Sequence, residues 1–153
     1  MIGKTSEHIA LWELNPIWNL LTMGEKTYIA NESEYVKYRK NKVIHQEGDV
    51  PTHMMILVRG KVRIYIEGVG QKPQIIRMLK PSDIFGYRAI IAGDTYNTCA
   101  SAVEESLVLK LNKDAFLRVI QQNNRVCYGM LELMARDLAI SEIRTVSLTQ
   151  KHI

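Results

Sequence analysis

Six short apolar or alternating runs lie between Val36 and Leu111, and they constrain the fold more than any other feature of the sequence. They occupy residues 42–45, 54–58, 61–66, 74–79, 98–103 and 106–111. Turn signals punctuate them: Glu47-Gly48-Asp49, Arg59-Gly60-Lys61, Gly68-Val69-Gly70, Lys80-Pro81-Ser82-Asp83 and Ala92-Gly93-Asp94. Runs this short and evenly spaced predict a sandwich or barrel, because βαβ units need long crossovers. Within residues 61–66, Val62, Ile64 and Ile66 alternate with Lys61, Arg63 and Tyr65. That alternation predicts a sheet with one wet side.

Helical patterns flank this region. Trp12, Leu14, Ile17, Trp18, Leu20 and Leu21 recur at three- and four-residue steps, and Pro16 after Asn15 suits a first helical turn. A second helical stretch is expected from Gly24 to about Asn31, both segments capping a sheet. Asn112 is a good N-cap for a short helix over 113–121, and Asn123-Asn124 separates it from a last helix running from about Arg125 towards Leu148. That helix is far longer than the globular average. Cys127, Leu131, Met134, Leu138, Ser141, Thr145 and Leu148 follow a heptad spacing along it. Val126, Met130, Leu133 and Ile140 form a second strip. One strip can bury against the chain's own sheet and the other against a partner helix. The alternative is one broad core-facing stripe in a monomer. The dimer is preferred, because a small β domain offers little surface along so long a helix. Ser141 and Thr145 are polar on the seam, which a register-setting or ligand-contacting role would explain.

Composition narrows the function classes. Cys99 and Cys127 are the only cysteines and neither sits in a C-x-x-C pair, which argues against a zinc ribbon or an iron–sulfur cluster and suits a reducing compartment. No apolar run has the length of a membrane span, and the first residues lack a signal-peptide core, so a cytoplasmic location without a membrane partner is expected. The formal charge is +4. Its densest cluster, Lys37-Tyr38-Arg39-Lys40-Asn41-Lys42, reads as a solvated loop leading into the first strand in preference to a nucleic-acid patch. His8, His45, His53 and His152 are each expected in exposed polar loops. His45 and Glu47 lack the second histidine of a cupin-like metal site, and no G-x-S-x-G, H-E-x-x-H or P-loop is present. No catalytic residue and no metal ligand is assigned, and an enzyme is not expected.

The order of elements, with three motifs, resembles the cyclic-nucleotide-binding domain of Crp/Fnr transcription regulators. His45-Gln46-Glu47-Gly48-Asp49 resembles that family's I-x-x-x-G-D turn. Residues 57–65, Leu-Val-Arg-Gly-Lys-Val-Arg-Ile-Tyr, resemble L-x-x-G-x-V-x-V-Y, and residues 79–86, Leu-Lys-Pro-Ser-Asp-Ile-Phe-Gly, resemble L-x-x-G-D-x-F-G. Leu133-Met134-Ala135-Arg136-Asp137-Leu138 resembles the start of the family's dimer helix. The resemblance implies a mainly β fold with flanking helices, a double-stranded β-helix or jelly-roll-like β-roll plus a long dimer helix. It divides the chain into a β-roll domain with N-terminal helices, 1–123, and a dimerisation helix, 124–153.

In that family a short helix after F-G-E and a downstream R-[ST]-A hold a cyclic phosphate through N–H groups, a hydroxyl and an arginine, while the glutamate accepts from the ribose. Tyr87 stands here where the glutamate would be, Asn97 where the arginine would be, Thr98 keeps the hydroxyl, and Cys99 replaces a small alanine. Arg88 and Arg77, the latter at a position resembling one that faces the base, could serve another anion or could make ordinary salt bridges. The implied ligand pocket comprises Ile64, Arg77, Phe85, Gly86, Tyr87, Arg88, Asn97, Thr98, Cys99 and Ser141. The implied effector is a cyclic nucleotide or another small anion, with no cofactor assigned. Family regulators continue into a helix-turn-helix that reads DNA; no residues remain for one before Ile153, so DNA would be bound through a domain outside this chain. The partners expected are a second copy, an effector and DNA. The regulatory domain of a kinase or channel shares the β-roll and is the competing expectation.

Overall fold

The computed structural model describes residues 15–151, except 69 and 71, and describes side chains as far as residue 138. Eight strands are present: β1 (Ser33–Tyr38), β2 (Val43–His45), β3 (His53–Arg59), β4 (Val62–Glu67), β5 (Pro73–Leu79), β6 (Ile84–Phe85), β7 (Cys99–Ala102) and β8 (Ser106–Asn112). They form two antiparallel four-stranded sheets, ordered β1-β8-β3-β6 and β2-β7-β4-β5. The expected β-roll with flanking helices is therefore the observed architecture. All six runs are strands. β1 and the two-residue β6 were not anticipated, because neither carries an apolar run of its own.

The unbroken apolar character of β3 and β8 follows from burial on both faces. Met54, Ile56 and Val58, with Leu107, Leu109 and Leu111, pack into one cluster beneath the helices. Met55, Leu57 and Val108 point the other way, into a second cluster with Val62, Leu79, Phe85 and Ala100 between the sheets. A strand sandwiched this way has no position left for a polar residue.

β4 departs from the expected alternation at its end. Tyr65 is buried rather than wet, with the guanidinium of Arg63 lying 4.4 Å over its ring. Ile66 is 36% exposed, at the hairpin end of the strand. Opposite, β5 carries a bulge: Ile64 pairs with Arg77 and Tyr65 with Ile75, leaving Ile76 extra. Bulges re-aim side chains, and here Ile76 and Arg77, though adjacent in sequence, line the same recess.

Helices close the first sheet. Residues Pro16–Leu20 form a single 3-10 turn rather than a longer helix, with the Asn15 side chain accepting from the Ile17 N–H at 3.1 Å. Helix α1 (Met23–Asn31) begins with a reciprocal cap: the Thr22 hydroxyl accepts from the Glu25 N–H, and the Glu25 carboxylate from the Thr22 N–H. Both segments pack on the carboxy-terminal helices, Trp18 against Phe116 with ring centroids 6.3 Å apart, and with them cover the sheet. Helix α2 (Tyr87–Ala92) packs on β3, α3 (Lys113–Gln122) starts at the Asn112 cap, and α4 (Asn124–Lys151) runs for 28 residues.

Candidate ligand-binding site

A recess of about 200 Å³ opens where α2, the β4–β5 hairpin and α4 meet. This is smaller than the roughly 300–1,000 Å³ typical of drug-sized ligand sites. Gly86 starts α2 with φ of 78°, and a Cβ there would come within 2.7 Å of the Met55 terminal methyl and 3.2 Å of the Tyr96 hydroxyl, so a side chain at this turn would be strained. Ile64, Arg77, Phe85, Gly86, Tyr87, Arg88, Asn97 and Thr98, all named from sequence, line the recess together. Cys99 does not. Strand alternation turns it to the outer face of β7 opposite Tyr65, where its thiol receives the Glu47 N–H at 3.5 Å. The side chain of Ser141 lies outside the described residues.

Seven lining residues were missed: the aliphatic Ile76, Leu79, Ile84 and Ala89, and three that bear on chemistry, Asp137, His45 and Tyr96. Asp137 reaches in from α4: its Oδ2 accepts from the Tyr87 hydroxyl at 2.5 Å and lies 3.5 Å from Arg77, whose other nitrogen is 3.9 Å from Asp83. Tyr87 itself is almost wholly buried, and that burial, then the hydrogen bond to Asp137, raises its phenol above the ordinary 10. His45 and Tyr96 stack with centroids 3.7 Å apart. Burial pulls His45 down to about 4, so at neutral pH it is an uncharged ring. The exposed-loop expectation thus fails for His45, and for His53, which lies on β3 and is only partly exposed; His8 and His152 fall outside the described residues. An apolar strand position was the available signal for His45. Nothing in the sequence pointed from Asp137 to Tyr87.

Donors therefore dominate the mouth. Arg88 is exposed there and makes no ion pair among the described residues, with the Thr98 hydroxyl and the Asn97 amide beside the recess. The carboxylate of the recess is Asp137, already engaged by Tyr87 and Arg77. Such a site can hold and orient a small molecule, and the neutral ring of His45, whose buried Nδ1 has no hydrogen-bond partner among the described residues, lies at its wall.

On α4, Val126 and Met130 are buried and Leu133 packs beside them. Gly129 lets the helix pass so close to Ile17 that a Cβ would sit 3.0 Å from it. Leu131 and Leu138 are 57% and 61% exposed, and Tyr128 is 65% exposed. Cys127 and Met134 are only half-exposed, with Met134 packed on the core. The open apolar strip is thus Tyr128, Leu131, Ala135 and Leu138, rotated slightly from the heptad seam read in sequence. The side chains of Thr145 and Leu148 are not among those described. No helix among the described residues is long and apolar enough to cross a membrane.

Comparison with known proteins agrees with this arrangement. The chain is 26% identical over 106 residues to the cyclic AMP receptor protein of Thermus thermophilus, covering 69% of this chain and 49% of that protein. It is 26% identical over 111 residues to a cGMP-dependent protein kinase of Toxoplasma gondii, covering 72% of this chain and 11% of the kinase. The chain thus spans about half the length of the first relative and far less of the second. In fold it is similar to the sensor domain of the transcriptional regulator DNR from Pseudomonas aeruginosa, with a TM-score of 0.75, 19% identity, and coverage of 84% of this chain and 86% of that one. Residues 35–123 match the cyclic nucleotide-binding domain, and with the match spanning more than half of its length the chain belongs to that family.

Proposed function

We propose that this chain is the effector-sensing and dimerisation part of a Crp/Fnr-type transcription regulator, a cytoplasmic binding module and not an enzyme, whose pocket has moved away from the cyclic AMP pattern. The bond between Tyr87 and Asp137 carries the reading. The residue at the ribose-accepting position has become a phenol, and it spends its hydrogen on the long helix. Asn97 supplies no cation at the phosphate position. Two charge-assisted contacts, each worth about 1.5–3 kcal/mol, are lost together. Binding of cyclic AMP should be weaker by roughly two to four decades. Arg88, exposed and in no ion pair among the described residues, and the Thr98 hydroxyl suit another small anion. The second copy would pack on Leu131 and Leu138, and DNA would be read by a helix-turn-helix beyond this chain.

Calorimetric titration with cyclic AMP and cyclic GMP tests this. The expected result is no heat and no thermal stabilisation at large ligand excess. Micromolar binding to either nucleotide would return the pocket to an ordinary cyclic-nucleotide site.

A second reading, a cyclic-nucleotide-binding regulatory domain of a kinase or channel-like protein, is favoured by the kinase relative. The open apolar strip on α4 weighs against it. What the gene encodes after Ile153 separates the two.

A further inference from the structure

One end of the sandwich gathers an excess of positive charge. Lys37 and Arg59 flank Leu107 on neighbouring strands. The Asn41 N–H donates to the Ala102 carbonyl at 2.7 Å, the Ala102 N–H to that of Lys42 at 2.9 Å, and the Val103 N–H to that of Lys61 at 2.8 Å. Pairing thus brings the β1–β2, β3–β4 and β7–β8 turns together. Among the described residues this pole holds Lys37, Arg39, Lys40, Lys42, Arg59 and Lys61 against Glu104 and Glu105, an excess equal to the +4 of the whole sequence. The sequence cluster at 37–42 is half of the feature; the topology adds Arg59 and Lys61.

The pole is also held in shape. Ser106 is fully buried, and its hydroxyl lies 2.9 Å from the Glu104 carbonyl and 3.3 Å from that of Lys61 while accepting the Lys61 N–H at 3.1 Å. One side chain therefore ties two of the turns. Lys37, Arg39, Lys40, Lys42 and Lys61 are exposed, and Arg59 lies 3.9 Å from Glu105.

The tips of these turns carry no exposed aromatic side chain, and their one exposed large apolar side chain is Val43, 38% exposed at the start of β2 and too small to serve as a central anchor. A protein interface would need such an anchor at its centre. A phosphate backbone asks only for spaced cations, for which lysines on long stems are suited. We propose that this basic pole docks a nucleic-acid phosphate backbone without regard to base sequence, independently of what fills the recess.

The test is fluorescence anisotropy of a labelled DNA duplex of arbitrary sequence, titrated with the whole chain over a series of salt concentrations. Binding should be weak, micromolar or poorer at physiological salt, and should fall with salt by about 0.9 log unit per log unit for each phosphate neutralised. The triple variant Lys40→Glu, Lys42→Glu, Lys61→Glu should weaken low-salt binding by at least about tenfold and flatten the salt slope. A charge-matched control, Lys72→Glu, Arg125→Glu, Arg136→Glu, should stay within about threefold of the parent. Both variants should keep the parent's melting temperature. Equal losses in the two variants, no loss in the first, or preference for polyglutamate over the duplex at equal salt would each overturn the assignment.

Discussion

The hydroxyl of Tyr87, on the first turn of α2, donates to the carboxylate of Asp137, halfway along α4, at 2.5 Å. Arg77 of β5 lies 3.5 Å from the same oxygen. Three elements, α2, β5 and α4, are joined at the recess by one carboxylate.

Tyr87→Phe keeps the ring and deletes the donor. A hydrogen bond to a charged acceptor is worth about 1.5–3 kcal/mol, so urea unfolding should show a loss of that order. A change below about 0.5 kcal/mol would mean that the pair adds nothing to the hold of α4 on the recess.

Acid should destabilise the fold through His45. The ring is neutral in the fold down to about pH 4, whereas in the unfolded chain it charges near 6.5. Below 6.5 the unfolded state takes up the proton, so stability is complete above that pH and declines as the pH falls from 6.5 towards 4. His53, also lowered mainly by burial, adds a smaller slope of the same sign. His45→Phe keeps the stack on Tyr96 and should flatten most of the melting-temperature decline in this window. An unaltered pH profile in that variant would assign the decline elsewhere.

Two glycines with similar backbone angles should behave differently. Gly48 and Gly60 have φ of 91° and 102°. A Cβ at Gly48 meets open space, while one at Gly60 would lie 2.3 Å from the Ser106 hydroxyl and 2.6 Å from the Glu105 carbonyl. Gly48→Ala should cost about 1–3 kcal/mol in backbone strain alone. Gly60→Ala should cost clearly more, measured by chemical denaturation, and equal costs would contradict the packing described for Ser106.

Light scattering should report the open strip on α4. The double substitution Leu131→Asp, Leu138→Asp places charge where both side chains are more than half exposed, so the fold should survive. The mass should fall from that of a dimer to that of a monomer. A parent protein that is already monomeric at high concentration would remove the seam from consideration.

The fold was legible because turn residues and short apolar runs are local signals, and eight pocket residues were legible because motif and cassette are contiguous in sequence. β1 was hidden by its polar edge character, Ser33 to Tyr38 alternating without an apolar run. Cys99 was misplaced by one residue of strand alternation, the smallest shift that reverses a face. Asp137 was read only as part of a helix, since no periodicity reports which polar residue on a long helix meets a short one fifty positions earlier. Arg59 and Lys61 joined the basic cluster only through strand pairing.

The position of Asp137 on its helix also sets a mechanical ratio. Fourteen residues separate it from Lys151, the last helical residue described, a lever arm of about 21 Å at 1.5 Å per residue. A tilt of about 10° pivoting at this carboxylate would displace the far end by close to 4 Å. A modest reorientation of the helix at the recess would thus arrive at its far end as a shift of most of a helical turn.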